Sequence, residues 1–210
     1  MIASCSGSIF LSDTSILLRD VGTGRELKEF LGRHRATMPW GKAAPINCVS
    51  FLSDGTMLAS CGGGRCSTFG GGSVAMFDDV LLWDVGTERE LNPLISPRDY
   101  VLTVDWSFDG KVLASGGAAE IILWDAKKGE RLTELKGHSS DVNAVAWSID
   151  GLIASSSLDR TVKIWNPSAG ECLKTLEGHS KCVSCLQFNP TDAGQLVTGS
   201  RDEKTSHYGK

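Results

Sequence analysis

A tryptophan recurs every 41 residues through the middle of this chain, at Trp83, Trp124 and Trp165. Each sits in the same short phrase: Leu81-Leu82-Trp83-Asp84, Ile122-Leu123-Trp124-Asp125 and Lys163-Ile164-Trp165-Asn166. Self-similarity at a fixed period of this length marks a repeated supersecondary unit, and it constrains the fold more tightly than any local propensity. Other landmarks keep the same order around the tryptophan. Trp106-Ser-Phe-Asp-Gly110 and Trp147-Ser-Ile-Asp-Gly151 match one another, with a weaker copy at Phe51-Leu-Ser-Asp-Gly55. Leu58-Ala-Ser60, Leu113-Ala-Ser115 and Ile153-Ala-Ser155 follow them, and Gly137-His138 and Gly178-His179 again lie 41 residues apart.

The clearest unit reads as four strands, a to d: Val142–Trp147, Leu152–Ser157, Thr161–Trp165 and Glu171–Leu176. Between them lie turns at Ser148–Gly151, where Asp-Gly tolerates positive φ, at Asp159-Arg160 and at Asn166–Gly170. Four short antiparallel strands cannot bury two apolar faces alone, so such units stack face to face around an axis.

The order Gly-His, Ser, Asp, Trp-Asp/Asn resembles the WD40 repeat family, and the resemblance covers nearly the whole chain. It implies an all-β, WD40-type β-propeller of four-stranded antiparallel blades. Three blades are expected complete (about 46–94, 100–137 and 141–178) and two partial (1–32 and 182–210), with an open or incomplete ring as one outcome. In the fourth unit His138, Ser157, Asp159 and Trp165 match the family's structural hydrogen-bond tetrad. A buried His, Asp and indole N–H must each find a partner, which is why this set is structural and not a catalytic triad. The network thins elsewhere. Asp13 fits in the first unit, where Arg19 stands in place of Trp. The second and third keep Trp83 and Trp124, and the fifth keeps His179, Ser200 and Asp202, with Tyr208 at the Trp position and a weak third strand around it.

At the two ends, strand a of the fifth unit (Cys182–Phe188) could join strands b, c and d of the first (Met1–Ser6, Ser15–Asp20, Arg25–Leu31), but strand b of the fifth (Gln195–Gly199) would then compete with Met1–Ser6 for one slot. The expectation is a segment of a longer protein, or a chain that self-associates through open ends.

Insertions identify the side of the blades to examine, because loops on a rigid scaffold carry binding. Residues 7–11, 33–45 and 61–78 lengthen b–c or d–a connections, which emerge on one face. Met38, Trp40, Arg65, Phe69, Met76 and Phe77 are the candidate anchors there, of the residue types enriched at interfaces. Arg98, Asp99, Asp141, Leu158, Lys181 and Arg201 occupy the equivalent ends of the other blades and join them as partner-binding candidates.

The remaining signals are negative. The chain carries 21 Lys and Arg against 25 Asp and Glu, a net charge of -4, and so lacks the electrostatic footprint of a nucleic-acid or anionic-membrane binder. Seven cysteines without framework spacing, and a start without signal-peptide features, lead to an expectation of the cytoplasm, with the nucleus as alternative, and not of secretion. Cys182-Val-Ser-Cys185 has zinc-pair spacing, but on a strand its side chains point to opposite faces. The glycine runs at 62–64 and 70–72 lack the lysine and the strand-loop-helix context of a phosphate loop. No metal, cofactor or catalytic residue is expected. The functional expectation is a non-catalytic scaffold that holds proteins or peptides. The alternatives are a regulatory segment of a larger signalling protein and a small-ligand binder or enzyme using the central channel.

Overall fold

The computed structural model describes residues 2–6, 15–31, 46–67, 73–76, 80–91, 93–95, 100–202 and 205–208, and every regular element among them is a β-strand. The chain divides into two compact units, Met1–Leu102 and Thr103–Lys210.

In the first unit, β1 (Ile2–Ser6), β2 (Ser15–Arg19) and β3 (Glu26–Leu31) form a three-stranded antiparallel sheet. The second sheet begins with β4 (Ile46–Phe51) and β5 (Met57–Gly62). A separate two-stranded ribbon follows, β6 (Gly64–Ser67) and β7 (Ser73–Met76), before β8 (Leu81–Asp84) and β9 (Arg89–Glu90) complete the order β4-β5-β8-β9. The insertion at 61–78 is therefore not a plain glycine loop. Part of it pairs with itself in register from Gly64↔Met76 to Ser67↔Ser73. Ile16, Leu18 and Phe30 of the first sheet pack against Leu58, Leu81 and Trp83 of the second, with the Phe30 and Trp83 rings edge to face at 5.7 Å.

The second unit holds three sheets. The third sheet of the chain is β10 (Val101–Trp106), which begins at the unit boundary, then β11 (Val112–Gly117), β12 (Glu120–Asp125) and β13 (Glu130–Lys136). The fourth is β14 (Val142–Trp147), β15 (Ile153–Ser157), β16 (Val162–Asn166) and β17 (Glu171–Leu176). The fifth is β18 (Val183–Asn189), β19 (Asp192–Ser200) and β20 (Thr205–Tyr208). The weak third strand expected in the fifth unit is present, paired from Leu196↔Tyr208 to Gly199↔Thr205. Among the described residues three blades have four strands and two have three, the division expected from the repeat.

Within each unit, neighbouring sheets cover one another's apolar faces. Ala114, Ile121, Leu123 and Leu135 of the third blade meet Val142, Val145, Ile153 and Trp165 of the fourth. Ala154 and Val162 of the fourth meet Val183 and Leu196 of the fifth. Polar side chains stitch the same seams. Within the sheet β14 is paired only with β15, and two of its N–H groups, Val145 and Trp147, donate to Thr103 Oγ1 (3.2 Å) and Asp105 Oδ2 (2.8 Å) of the preceding blade. Asn143 Nδ2 in turn donates to the Val183 carbonyl of the following one, at 2.8 Å.

The Asp or Asn after each of Trp83, Trp124 and Trp165 closes the c–d turn. Asp84 accepts from the N–H and hydroxyl of Thr87, Asp125 from the N–H groups of Lys127 and Lys128, and Asn166 from those of Ser168 and Ala169. Asp20 does the same with Thr23, although Arg19 stands where the tryptophan is missing. In the a–b turn of the fourth blade Gly151 sits at φ 86°, a conformation a side chain would strain.

Candidate functional site

At the b–c end of the fourth blade four side chains form one hydrogen-bonded chain. Trp165 Nε1 donates to Ser155 Oγ at 2.8 Å, and Ser155 Oγ lies 2.8 Å from His138 Nε2. His138 Nδ1 lies 2.7 Å from Asp159 Oδ2. One assignment satisfies every group: the indole N–H donates to the hydroxyl, the hydroxyl donates to Nε2, and Nδ1–H donates to the carboxylate. Burial lowers the pKa of His138 below its ordinary 6.5, against the pull of Asp159 in the opposite direction, so the ring stays neutral at pH 7. Burial works against the charge of Asp159 as well. Hydrogen bonds from Thr161, His138 and Ser139 outweigh it and hold the carboxyl at about 2.

The serine of this chain is Ser155, not the expected Ser157. The register explains why. Trp165 pairs across the strands with Ile153. Ser155 is then the diagonal neighbour two residues on, whereas Ser157 lies four residues on, roughly 13 Å along the strand. Both serines share one face of β15, so the alternation of the strand could not separate them. Ser157 does a different job: its hydroxyl donates to the Ser140 carbonyl at 3.0 Å and accepts from the Asp159 N–H at 3.1 Å. It thus ties the b–c turn to the preceding d–a loop.

The same register recurs. Trp83 pairs with Leu58 and donates to Ser60 Oγ at 2.9 Å; Trp124 pairs with Leu113 and donates to Ser115 Oγ at 2.8 Å. These serines close the recurring Leu/Ile-Ala-Ser phrase, and that phrase was the signal that identifies them. In the fifth blade Tyr208 pairs with Leu196, and Thr198 occupies the serine's place. His179 Nε2 lies 3.0 Å from Thr198 Oγ1, and its Nδ1 lies 3.1 Å from Asp202 Oδ2. The expected Ser200 again serves the turn, donating to the Cys182 carbonyl at 2.9 Å, so Thr198 corrects it as Ser155 corrects Ser157.

Gly137 belongs to the same construction. Its φ is 154°, and a β-carbon there would come within 3.3 Å of the Trp165 ring. The Gly-His pair thus combines a backbone that passes against the indole with a ring that reaches the serine below it.

The partner-binding candidates divide into three groups. Met38, Trp40, Phe69, Phe77, Arg98 and Asp99 lie outside the described residues, as does Asp13. Arg65 and Met76 belong to β6 and β7, and their backbones face one another one pair apart near the base of the ribbon. In the second unit Asp141, Leu158, Lys181 and Arg201 occupy the network end of two successive blades. Leu158 N–H donates to the Asp141 carbonyl at 2.9 Å, and Arg201 N–H to the Cys182 carbonyl at 3.1 Å, so Leu158 and Arg201 are structural equivalents. The backbone of both is pinned, while the Leu158, Lys181 and Arg201 side chains are exposed. Among the described residues no cluster of three or more His, Cys, Asp or Glu is placed to hold a metal ion, and the thiols of Cys182 and Cys185 are free.

Comparison with known families agrees with this geometry. The family model described as "WD domain, G-beta repeat" matches four stretches, residues 33–68, 90–125, 129–166 and 170–206, which together make up more than half of the chain. No curated protein matches it. The second and third stretches end at Asp125 and Asn166, the residues that follow the blade tryptophans.

Proposed function

Since this chain belongs to the WD40 repeat family, whose repeats generally mediate protein–protein interactions, we propose that it is a non-catalytic scaffold presenting the b–c and d–a loops of its blades to partner proteins or peptides. One observation carries this reading: in the fourth blade the network and the turn serine lock both loops together. Ser139 N–H and Ser140 carbonyl of the d–a loop are bonded to Asp159 and Ser157 of the b–c turn. The polar groups are used up internally, which leaves the exposed Leu158, Lys181 and Arg201 side chains to face a partner from a rigid base. Preorganised loops lose little entropy on binding, which is how such a surface gains affinity. The His-Ser-Asp set does no chemistry here, since its serine is fully buried between an indole and an imidazole. We further propose a cytoplasmic location, a reading supported by Cys172, Cys182 and Cys185, which form no disulfide.

The test is affinity capture with the full chain and with a Leu158→Ala, Lys181→Ala, Arg201→Ala triple variant. These residues are exposed, so the variant keeps its fold. Partners captured by the native chain are expected to be lost from the variant. An identical set captured by both would overturn the assignment of this face.

A further inference from the structure

The opposite ends of the strands carry a second feature, independent of the loop face just proposed. Between the third and fourth blades the a–b turns and the c–d turn of the fourth blade enclose a groove of about 560 Å³. This lies within the range of pockets that hold ligands and peptide side chains. Leu132 and Trp147 contribute apolar surface, and Phe108 and Ile149 stand at its lip, 70% and 47% exposed. The last two occupy the same position of the a–b turn in successive blades, and in the second blade that position is Ser53. A turn position that accepts serine has no folding need for a phenylalanine or an isoleucine. Large apolar side chains stand there in the two blades that flank the groove.

The charge of the lining is one-sided. Among the described residues, its ionisable side chains are the carboxylates of Asp109 and Asp150. Asp109 pairs with Lys111 at 2.9 Å across exposed surface. Asp150 accepts a hydrogen bond from Ser148 Oγ, and no cation among the described residues pairs with it. Trp147 Nε1 is buried and has no hydrogen-bond partner among the described residues, an unmet donor in a residue of the groove wall.

We infer that this groove is a docking site for a peptide segment of a partner protein that places a large apolar side chain next to a lysine or arginine. The apolar side chain fills the space over Leu132 and Trp147 between Phe108 and Ile149. The cation meets Asp150, whose carboxylate is the uncompensated charge of the lining. This choice rests on charge complementarity: the charged groups that a segment would meet among the described lining residues are both carboxylates, which favour a cation over an acidic side chain.

The experiment titrates the isotopically labelled full chain with the peptide acetyl-Gly-Leu-Arg-Phe-Lys-Gly-amide, and with a counterpart carrying Glu for Arg and Lys, following amide chemical shifts. The cationic peptide is expected to shift the signals of Phe108, Ile149 and Asp150 with a Kd below about 1 mM. Ile149→Ser and Asp150→Asn, both at exposed positions, are each expected to weaken it about tenfold. No shift at about 1 mM peptide would overturn the proposal, as would equal binding of the acidic peptide or unchanged binding to both variants. Shifts of the groove signals on concentrating the chain alone would assign the groove to a second copy and overturn it too. The Leu158, Lys181, Arg201 triple variant is expected to bind the cationic peptide normally, so failure here and failure of the loop-face reading are told apart.

Discussion

The third and fourth blades share a strand plan and a core, yet they finish their b–c ends differently. Both keep a tryptophan bonded to a serine two residues beyond its cross-strand partner, Trp124 to Ser115 and Trp165 to Ser155. The fourth then adds His138 and Asp159, with a four-residue turn from Leu158 to Thr161 that reaches the d–a loop. The third turns in two residues, Ala118 and Ala119, with Ala119 in the left-handed region at φ 62°, and buries no ionisable group there. The Trp–Ser bond is thus the minimal unit that recurs in the second, third and fourth blades, and the His–Asp pair is an addition that fastens one loop to another. The addition makes an end of the blade rigid at the cost of placing a ring and a carboxylate where solvation is poor.

The largest effect that tests this contrast is expected from the tryptophans. Trp165→Phe should cost about 3 kcal/mol, because it removes the indole donor and the ring that packs against Gly137 and His138. Trp124→Phe should cost about half as much, since Ser115 lies within reach of the Ile122 carbonyl as well. Urea unfolding midpoints compare the two, and equal losses would mean that the longer network adds nothing.

Next in size is the pair of serines on β15. Ser155→Ala strands both the Trp165 N–H and the His138 Nε2 in the core and should cost about 2 kcal/mol. Ser157→Ala touches only the turn and should cost about 1 kcal/mol or less. If thermal unfolding ranks them the other way round, the network belongs to Ser157 after all.

The smallest effect is the dependence on pH. His138 has its folded pKa below 6.5, so below that pH the unfolded chain binds more protons and stability falls as the solution is acidified. Asp159, held at about 2 against an ordinary 3.8, contributes stability above 3.8 that is lost as pH falls through that interval. Unfolding free energies between pH 7 and pH 5 should therefore slope less steeply in His138→Gln than in the native chain. A slope that the substitution leaves unchanged would remove the imidazole from the account.

Much of this was legible in the residues. The period of the tryptophans and the Asp-Gly turns located most of the strands, and Gly137-His138 with Asp159 and Trp165 located three members of the network. The serine was not located, because Ser155 and Ser157 lie on one face of one strand and only the pairing of Trp165 with Ile153 separates them. Thr198 and Ser200 likewise share one face of β19, and only the pairing of Tyr208 with Leu196 separates them. The ribbon within the insertion is not legible in the residues because Gly64–Ser67 and Ser73–Met76 carry little of the alternation that marks a half-buried strand.

What the sequence by itself determined is the repeat: unit length, strand order, the turns, and the residues that must be buried, because these follow from periodicity and from the obligation of polar groups to be satisfied. What only the tertiary structure decided is which of two like residues meets a given partner, and that Phe108 and Ile149 of neighbouring turns border one groove with Asp150. Cross-strand register and the packing of blade on blade set both, and neither is encoded in local spacing.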